Sequence, residues 1–214
     1  MKSVLVTGGT KRLGAAIAGH LRHRGWKVLT SSHREDSGAD FVADLSDPAA
    51  AARLYLKALQ SEGELVAIVN NAALFVGEEE TMREVNLESP KKLTMLLAGR
   101  EGVKCSVVNV LDSEIMDGVP SSAEGVKRRY LETKRGLFDY TRKSACLFAG
   151  SLRVNAVAPG PVLAPEAVHE KALETLLDRR PDAEDVAEAV AYLLEAKSVT
   201  GVVLPVDGGG HLLA

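Results

Sequence analysis

A chain of 214 residues with 46% hydrophobic content and a mean hydropathy of +0.01 is long enough to bury one full-sized core, and a single domain over residues 1–214 is expected. Its 26 basic and 29 acidic residues are interspersed and leave a formal net charge of −3, which excludes a nucleic-acid stripe and a polybasic membrane patch; no apolar run approaches a membrane span. Cys105 and Cys146 lack metal-ligand spacing and imply no disulfide framework, so both are expected as buried free thiols, and no metal site is expected.

The N-terminus passes from Met1-Lys2 straight into Val4-Leu5-Val6, without the charged and apolar regions of a signal peptide, and a cytoplasmic location is the resulting expectation. Short β-branched runs at 4–6, 28–30, 41–42, 66–69, 107–110, 154–157 and 202–206 alternate with longer segments of helical period. Near-continuous apolar strands in that alternation predict a doubly wound α/β fold of the Rossmann type, a mostly parallel seven-stranded sheet with helices on both faces. Asp47-Pro48 predicts a helix over 49–59, with proline suited to the first turn. Val186, Val190, Leu193 and Leu194 predict one over 183–195 whose apolar stripe is core.

The first strand runs into Thr7-Gly8-Gly9-Thr10-Lys11-Arg12-Leu13-Gly14 and then into the apolar helix Ala15-Ala16-Ile17-Ala18. Glycines there permit close backbone approach, and the helix N-terminus offers unpaired N–H groups and a positive dipole to a pyrophosphate. The second strand ends Thr30-Ser31-Ser32-His33-Arg34, without the carboxylate that would bind an NAD ribose; Arg34, helped by His33 and Ser32, suits a 2′-phosphate, so NADP is expected. Asp36, two residues on, favours NAD if it takes that place instead.

Tyr130 and Lys134 are one helical turn apart, behind a strand ending Asn109-Val110-Leu111-Asp112. An ammonium on the face of a phenol favours its ionised form, and a phenol with a pKa of about 10 needs such help to exchange protons near neutrality. Asp112 is then a third polar group at the same crevice.

These motifs resemble the short-chain dehydrogenase/reductase family. Gly8 and Gly14 match its Thr-Gly-x-x-x-Gly-x-Gly fingerprint, with Arg12 standing for the middle glycine; Arg there resembles the pteridine reductase branch, where it lies by the cofactor phosphates and the substrate. The resemblance implies cofactor contacts from Gly8, Arg12, Leu13 and Gly14, from Asp44-Leu45 at the adenine, and from Asn71, Ala72 and Ala73 in Asn70-Asn71-Ala72-Ala73. It further implies contacts from Lys134 at the nicotinamide ribose and from Pro159, Gly160 and Val162, which follow Arg153-Val154-Asn155. Thr200-Gly201 through Pro205-Val206-Asp207-Gly208-Gly209 resembles the family's final strand and turn.

By the same resemblance Asn86 supports a proton relay, Tyr130 donates the proton, and Asp112 stands where most of the family carries a catalytic serine and pteridine reductases carry aspartate. Ser113 next door offers a serine alternative, and for Asp112 a plain capping role is the competing reading. Phe75 matches an aromatic that stacks a pterin ring, or else packs in the core. The substrate set is therefore Arg12, Phe75, Asp112 and Tyr130. The gap from Asp112 to Tyr130, through Met116-Asp117-Gly118-Val119-Pro120, is longer than the family's, and the stretches from Asn71 to Asn86 and after Gly160 are shorter.

The expected activity is NADPH-dependent reduction of a small molecule, a dihydropterin or dihydrofolate. A carbonyl reductase of the same family and a non-catalytic NADP-binding sensor are the alternatives. The resemblance also implies a homodimer or homotetramer. His211 is expected in a surface tail, though within reach of a neighbouring subunit, and His20 and His23 on a solvated helix face.

Overall fold

A computed structural model describes residues 1–162 and 175–213. Seven strands, β1 (Lys2–Thr7), β2 (Lys27–Ser32), β3 (Phe41–Val42), β4 (Glu64–Asn70), β5 (Cys105–Val110), β6 (Leu152–Pro159) and β7 (Val203–Val206), form one sheet in the order β3-β2-β1-β4-β5-β6-β7. Every neighbouring pair is parallel, so the sheet is wholly rather than mostly parallel. The strand order reverses between β1 and β4, and the crevice beyond their carboxyl ends is where a doubly wound sheet binds its ligand.

Strand alternation distributes the core. Val4 and Val6 point to one face, under α1 (Arg12–His23) and α6 (Ala183–Glu195), where they pack with Ile17, Leu21, Val186 and Val190. Leu5, between them, points to the other, under α2 (Ala50–Leu59) and α4 (Ser89–Ala98), with Leu54, Leu93 and Leu97. With both faces covered, each residue of β5 is buried, Ser106 and Asn109 included, which is why its sequence does not alternate between apolar and exposed polar residues. α3 (Glu79–Arg83) leads through a π turn, Glu84–Glu88, into α4; the long helix α5 (Gly125–Leu147) packs on β6.

The helix signals act as read. The helix after Pro48 begins at Ala50, and the 183–195 helix opens on a capping box: the Asp182 carboxylate accepts from the Glu184 and Asp185 amides at 2.9 and 3.0 Å, while Asp185 accepts from the Asp182 amide at 2.8 Å.

Two expectations are corrected. Cys105 is buried, but Cys146 is exposed, because it shares the outer face of α5 with Arg142 and Lys143. His211 is no free tail: its amide and its ring both bond Asp207, the amide at 2.8 Å and the ring Nδ1 at 2.9 Å, folding the C-terminal turn onto the end of β7. His20 bonds Glu184 across α1 and α6 while His23 stays exposed. The shortened stretch after Gly160 runs into residues 163–174, outside those described. Among the described residues no helix is long and apolar enough to cross a membrane, and no cluster of three or more His, Cys, Asp or Glu side chains could hold a metal.

Candidate active site

β1 ends at Thr7, whose side chain ties the two strands flanking the reversal. Its Oγ1 accepts from the Asn71 and Ala72 amides at 3.0 and 3.1 Å, and Asn71 Nδ2 donates back to the Thr7 carbonyl at 2.9 Å and the Gly8 carbonyl at 3.2 Å. That tight knot leaves no room beside Gly14, where an added Cβ would lie 2.1 Å from the Gly8 oxygen and 2.6 Å from Asn71 Nδ2. Gly8 sits at φ +63°, a left-handed conformation glycine adopts freely. Arg12 also takes a positive φ, 49°, so the arginine adopts the backbone that the missing glycine would have supplied, at a cost of about 1 kcal/mol.

The N-terminus of α1 opens onto this turn with no acidic residue in its first turn and no side-chain cap on its amides. Unpaired N–H groups and the helix dipole therefore face the crevice, the arrangement that takes a phosphate.

A cleft of about 680 Å³ runs from this turn to α5. Of the sequence-derived residues it is lined by Gly8, Arg12, Leu13 and Gly14 at the turn, by Ser32, His33, Asp44 and Leu45 at one end, and by Asn71, Ala72 and Ala73 along the floor. Asp112, Tyr130, Lys134, Pro159, Gly160 and Val162 line the other end. Arg34 is outside this lining; its guanidinium is engaged by Asp36, with Nε at 2.9 Å and Nη2 at 2.6 Å from the carboxylate oxygens. The pair holds the Asp36 carboxyl below its usual range. Lys11, which the sequence reading passed over, does line the cleft and also acts on Asp36; its signal was a second cation beside Arg12 in the glycine turn.

Asp112 caps the short turn Ser113–Ile115 by accepting from the Glu114 amide at 3.0 Å, so the capping reading is true, and its carboxyl also meets the Tyr130 hydroxyl at the cleft wall. Ser113 is buried in that turn and does not line the cleft. Lys134 is 3% exposed; its Nζ donates to the Val110 carbonyl at 2.9 Å and lies 5.6 Å from the Tyr130 ring centroid.

Burial brings the Lys134 ammonium down to about 8, with Asp112 opposing the shift. Burial pushes the Tyr130 phenol well above its ordinary value, and the charge and hydrogen bond of Asp112 push it further; burial likewise raises Asp112. This differs from the geometry expected of the Tyr130 and Lys134 spacing. The lysine is drawn over the ring to a strand carbonyl, and the aspartate is the charge that governs the phenol.

Phe75 is 53% exposed and so is not core; it stands 5.0 Å, centroid to centroid, from the Tyr130 ring at an interplanar angle of 62°, beside the cleft and outside its lining. Asn86 is 1% exposed and contributes nothing to the cleft surface. Its side chain clasps the backbone of Leu74, Oδ1 accepting from the amide at 2.7 Å and Nδ2 donating to the carbonyl at 2.8 Å.

A family model described as enoyl-(acyl carrier protein) reductase, of the short-chain dehydrogenase/reductase type, matches residues 9–211. The chain belongs to the short-chain dehydrogenase/reductase family. Among its relatives, ketoacyl reductase 2 of the granaticin polyketide synthase of Streptomyces violaceoruber is 34% identical over 98% of this chain and 96% of its own. Dihydromonapterin reductase of Escherichia coli K12 is 27% identical over the same shares. The crystal structure of FolM alternative dihydrofolate reductase 1 from Brucella canis, complexed with NADP, superimposes with a TM-score of 0.85 at 30% identity, over 98% of this chain and 94% of that one. Within this family the chain is an NADP-dependent oxidoreductase.

Proposed function

We propose that the protein reduces an unsaturated pterin of the dihydropterin or dihydrofolate type with NADPH. The observation that carries the reading is that Asp112 and Phe75 both act on Tyr130, Asp112 from the cleft lining and Phe75 from just beside it, a carboxyl for a nitrogen heterocycle and an aromatic face for a flat ring. The NADP-bound Brucella relative and the dihydromonapterin reductase of Escherichia coli support it.

NADP fits the residues present. The uncapped α1 terminus and the Gly14 cradle, which a Cβ would fill, suit the pyrophosphate; Lys11, Ser32 and His33 offer polar and cationic groups for a 2′-phosphate. The carboxylate at Asp36 is already bonded to Arg34 and so is not presented to a ribose.

The reduced cofactor supplies a hydride to an unsaturated ring carbon, and the adjacent ring nitrogen takes a proton. Burial raises both Tyr130 and Asp112, so the phenol holds its proton until the ring nitrogen takes it, with Asp112 beside it to orient the exchange. Lys134, anchored to Val110 in the cleft lining, would hold the ribose of a bound nucleotide. Arg12, which lines the cleft at the glycine turn, would neutralise phosphate charge there. NADPH oxidation assayed with dihydrobiopterin and dihydrofolate tests the reading; absence of turnover with every pterin overturns it.

The 34% identity to a ketoacyl reductase favours a second reading, reduction of a ketone with Tyr130 as acid and Asp112, since Ser113 is buried, as the polar group at the carbonyl. Turnover of ketones without pterins selects it. Tyr130→Phe removes the proton donor in either reading while leaving NADPH binding intact, with a loss of about 10²-fold or more in kcat; an unchanged kcat overturns Tyr130 as the donor, and NADPH binding without turnover of any pterin or ketone selects the nucleotide-binding sensor.

A further inference from the structure

The hydrogen bonds that join the aromatic face to the proton donor pass through one hydroxyl. Asn86 has two amide N–H groups and one carbonyl oxygen. The oxygen accepts from Leu74 N at 2.7 Å, one N–H donates to Leu74 O at 2.8 Å, and Nδ2 also donates to Thr133 Oγ1 at 3.1 Å. Thr133 in turn donates its only proton to the Tyr130 carbonyl at 2.7 Å. Every donor and acceptor role in the chain is thereby determined, and both side chains are buried, Asn86 at 1% and Thr133 at 8% exposed.

Leu74 precedes Phe75, whose ring is half exposed and meets Tyr130 edge-on. The π turn Glu84–Glu88 that carries Asn86 lies between the Phe75 loop and α5, which lets one amide reach both. A hydroxyl at position 133 is needed as acceptor and donor at once; an apolar side chain of the same shape leaves a buried N–H unpaired and cuts the link.

We propose that Thr133 is a positioning residue which, through Asn86, locks the Phe75 loop to the Tyr130 turn so that the aromatic face and the proton donor keep a fixed spacing for a flat substrate. Its effect on substrate rests on the pterin reading; the lock itself does not.

The test compares Thr133→Val, Thr133→Ser and Phe75→Leu, singly and with Thr133→Val and Phe75→Leu combined, in the full chain. Amide hydrogen exchange is the first readout. In Thr133→Val the Leu74 amide loses protection by about tenfold, the scale of one buried hydrogen bond, while the strands of the sheet keep theirs. Thr133→Ser restores the wild-type rate. With pterin as substrate, KM rises about tenfold in Thr133→Val with kcat and NADPH affinity nearly unchanged, and the Val and Leu changes are non-additive because both act on one aromatic face. Unaltered exchange at Leu74, an even loss of protection over the whole molecule, or additive effects in the double variant overturns the proposal. Should Thr133→Val not fold, Thr133→Ala is read by the same criteria. Should the wild type turn over no pterin, the function proposed above falls, while the exchange comparison still decides the lock.

Discussion

The ring of Phe75 meets the ring of Tyr130 edge to face at 5.0 Å, although Phe75 stands in the loop after β4, half in solvent, and Tyr130 on α5. An exposed aromatic placed on a proton donor presents a flat apolar surface to whatever that donor protonates. Phe75→Ala is therefore expected to raise KM for a pterin by about tenfold, the value of one lost aromatic contact, with little change in fold stability because so little area is buried. Steady-state kinetics and a thermal melt check both halves.

Asp112 raises the phenol of Tyr130 by its charge and its hydrogen bond, in addition to burial. Asp112→Asn removes the charge, so the Tyr130 ionisation followed by ultraviolet difference titration moves down toward the ordinary value of about 10. The same variant loses turnover, since an amide does not orient the proton exchange as the carboxyl does. A phenol titration identical to wild type contradicts the assignment.

Lys134 has a folded-state value of about 8 against an ordinary 10.5. Between those values the unfolded chain holds a proton that the folded chain has released, so this group's contribution to stability rises with pH across the window and is most unfavourable below it. Denaturant unfolding of the wild type and Lys134→Met from pH 7 to 10 reads the difference. The wild type is expected to gain on the variant as pH rises, by up to about 3 kcal/mol.

Arg12 occupies a left-handed backbone at φ 49°. Arg12→Gly relieves that strain, and the added backbone freedom of the unfolded chain offsets part of the gain, so the melting temperature is expected to hold or rise slightly while NADPH and substrate affinity both fall. Gly14→Ala is expected to do the opposite kind of damage, because its Cβ would collide with the Gly8 oxygen at 2.1 Å: cofactor affinity and stability fall together.

Arg34 is bonded to Asp36 at the rim of the nucleotide end. Asp36→Ala frees the guanidinium and removes a carboxylate from a phosphate's surroundings, so the preference for NADPH over NADH is expected to widen several-fold, and less so at high salt. Lys11→Ala, which removes a cation lining the cleft, narrows it. Competitive binding of the two nucleotides at two salt concentrations measures the change.

Much of this site was readable in the chain because its parts are local. Strands and helices announced themselves through periodicity and the glycine turn through Gly8 and Gly14, whereas the capping box of Asp182 and Asp185 showed only in the structure. Tyr130 and Lys134 were placed on one helical face by their spacing alone, and the order of motifs carried the family. These features depend on neighbours in sequence, where backbone geometry dictates what can touch.

Contacts between distant segments were decided only by the packed fold. Spacing placed Lys134 beside Tyr130, but the nearest carbonyl for its ammonium belongs to Val110, on a strand 24 residues away in sequence, and that bond draws the charge over the ring. Asp112 could be read as a cap or as an active-site carboxyl; packing shows the cap and also brings its charge to bear on Tyr130. Whether Phe75 was core or exposed, whether Arg34 faced a phosphate or Asp36, and how Asn86 reached Thr133 all turned on which side chains the sheet brought within about 3 Å of one another. Periodicity and motif therefore determined the fold, the family and the helix that bears Tyr130. Burial and hydrogen-bond partners, which exist only once the chain has closed on itself, determined which charge governs Tyr130.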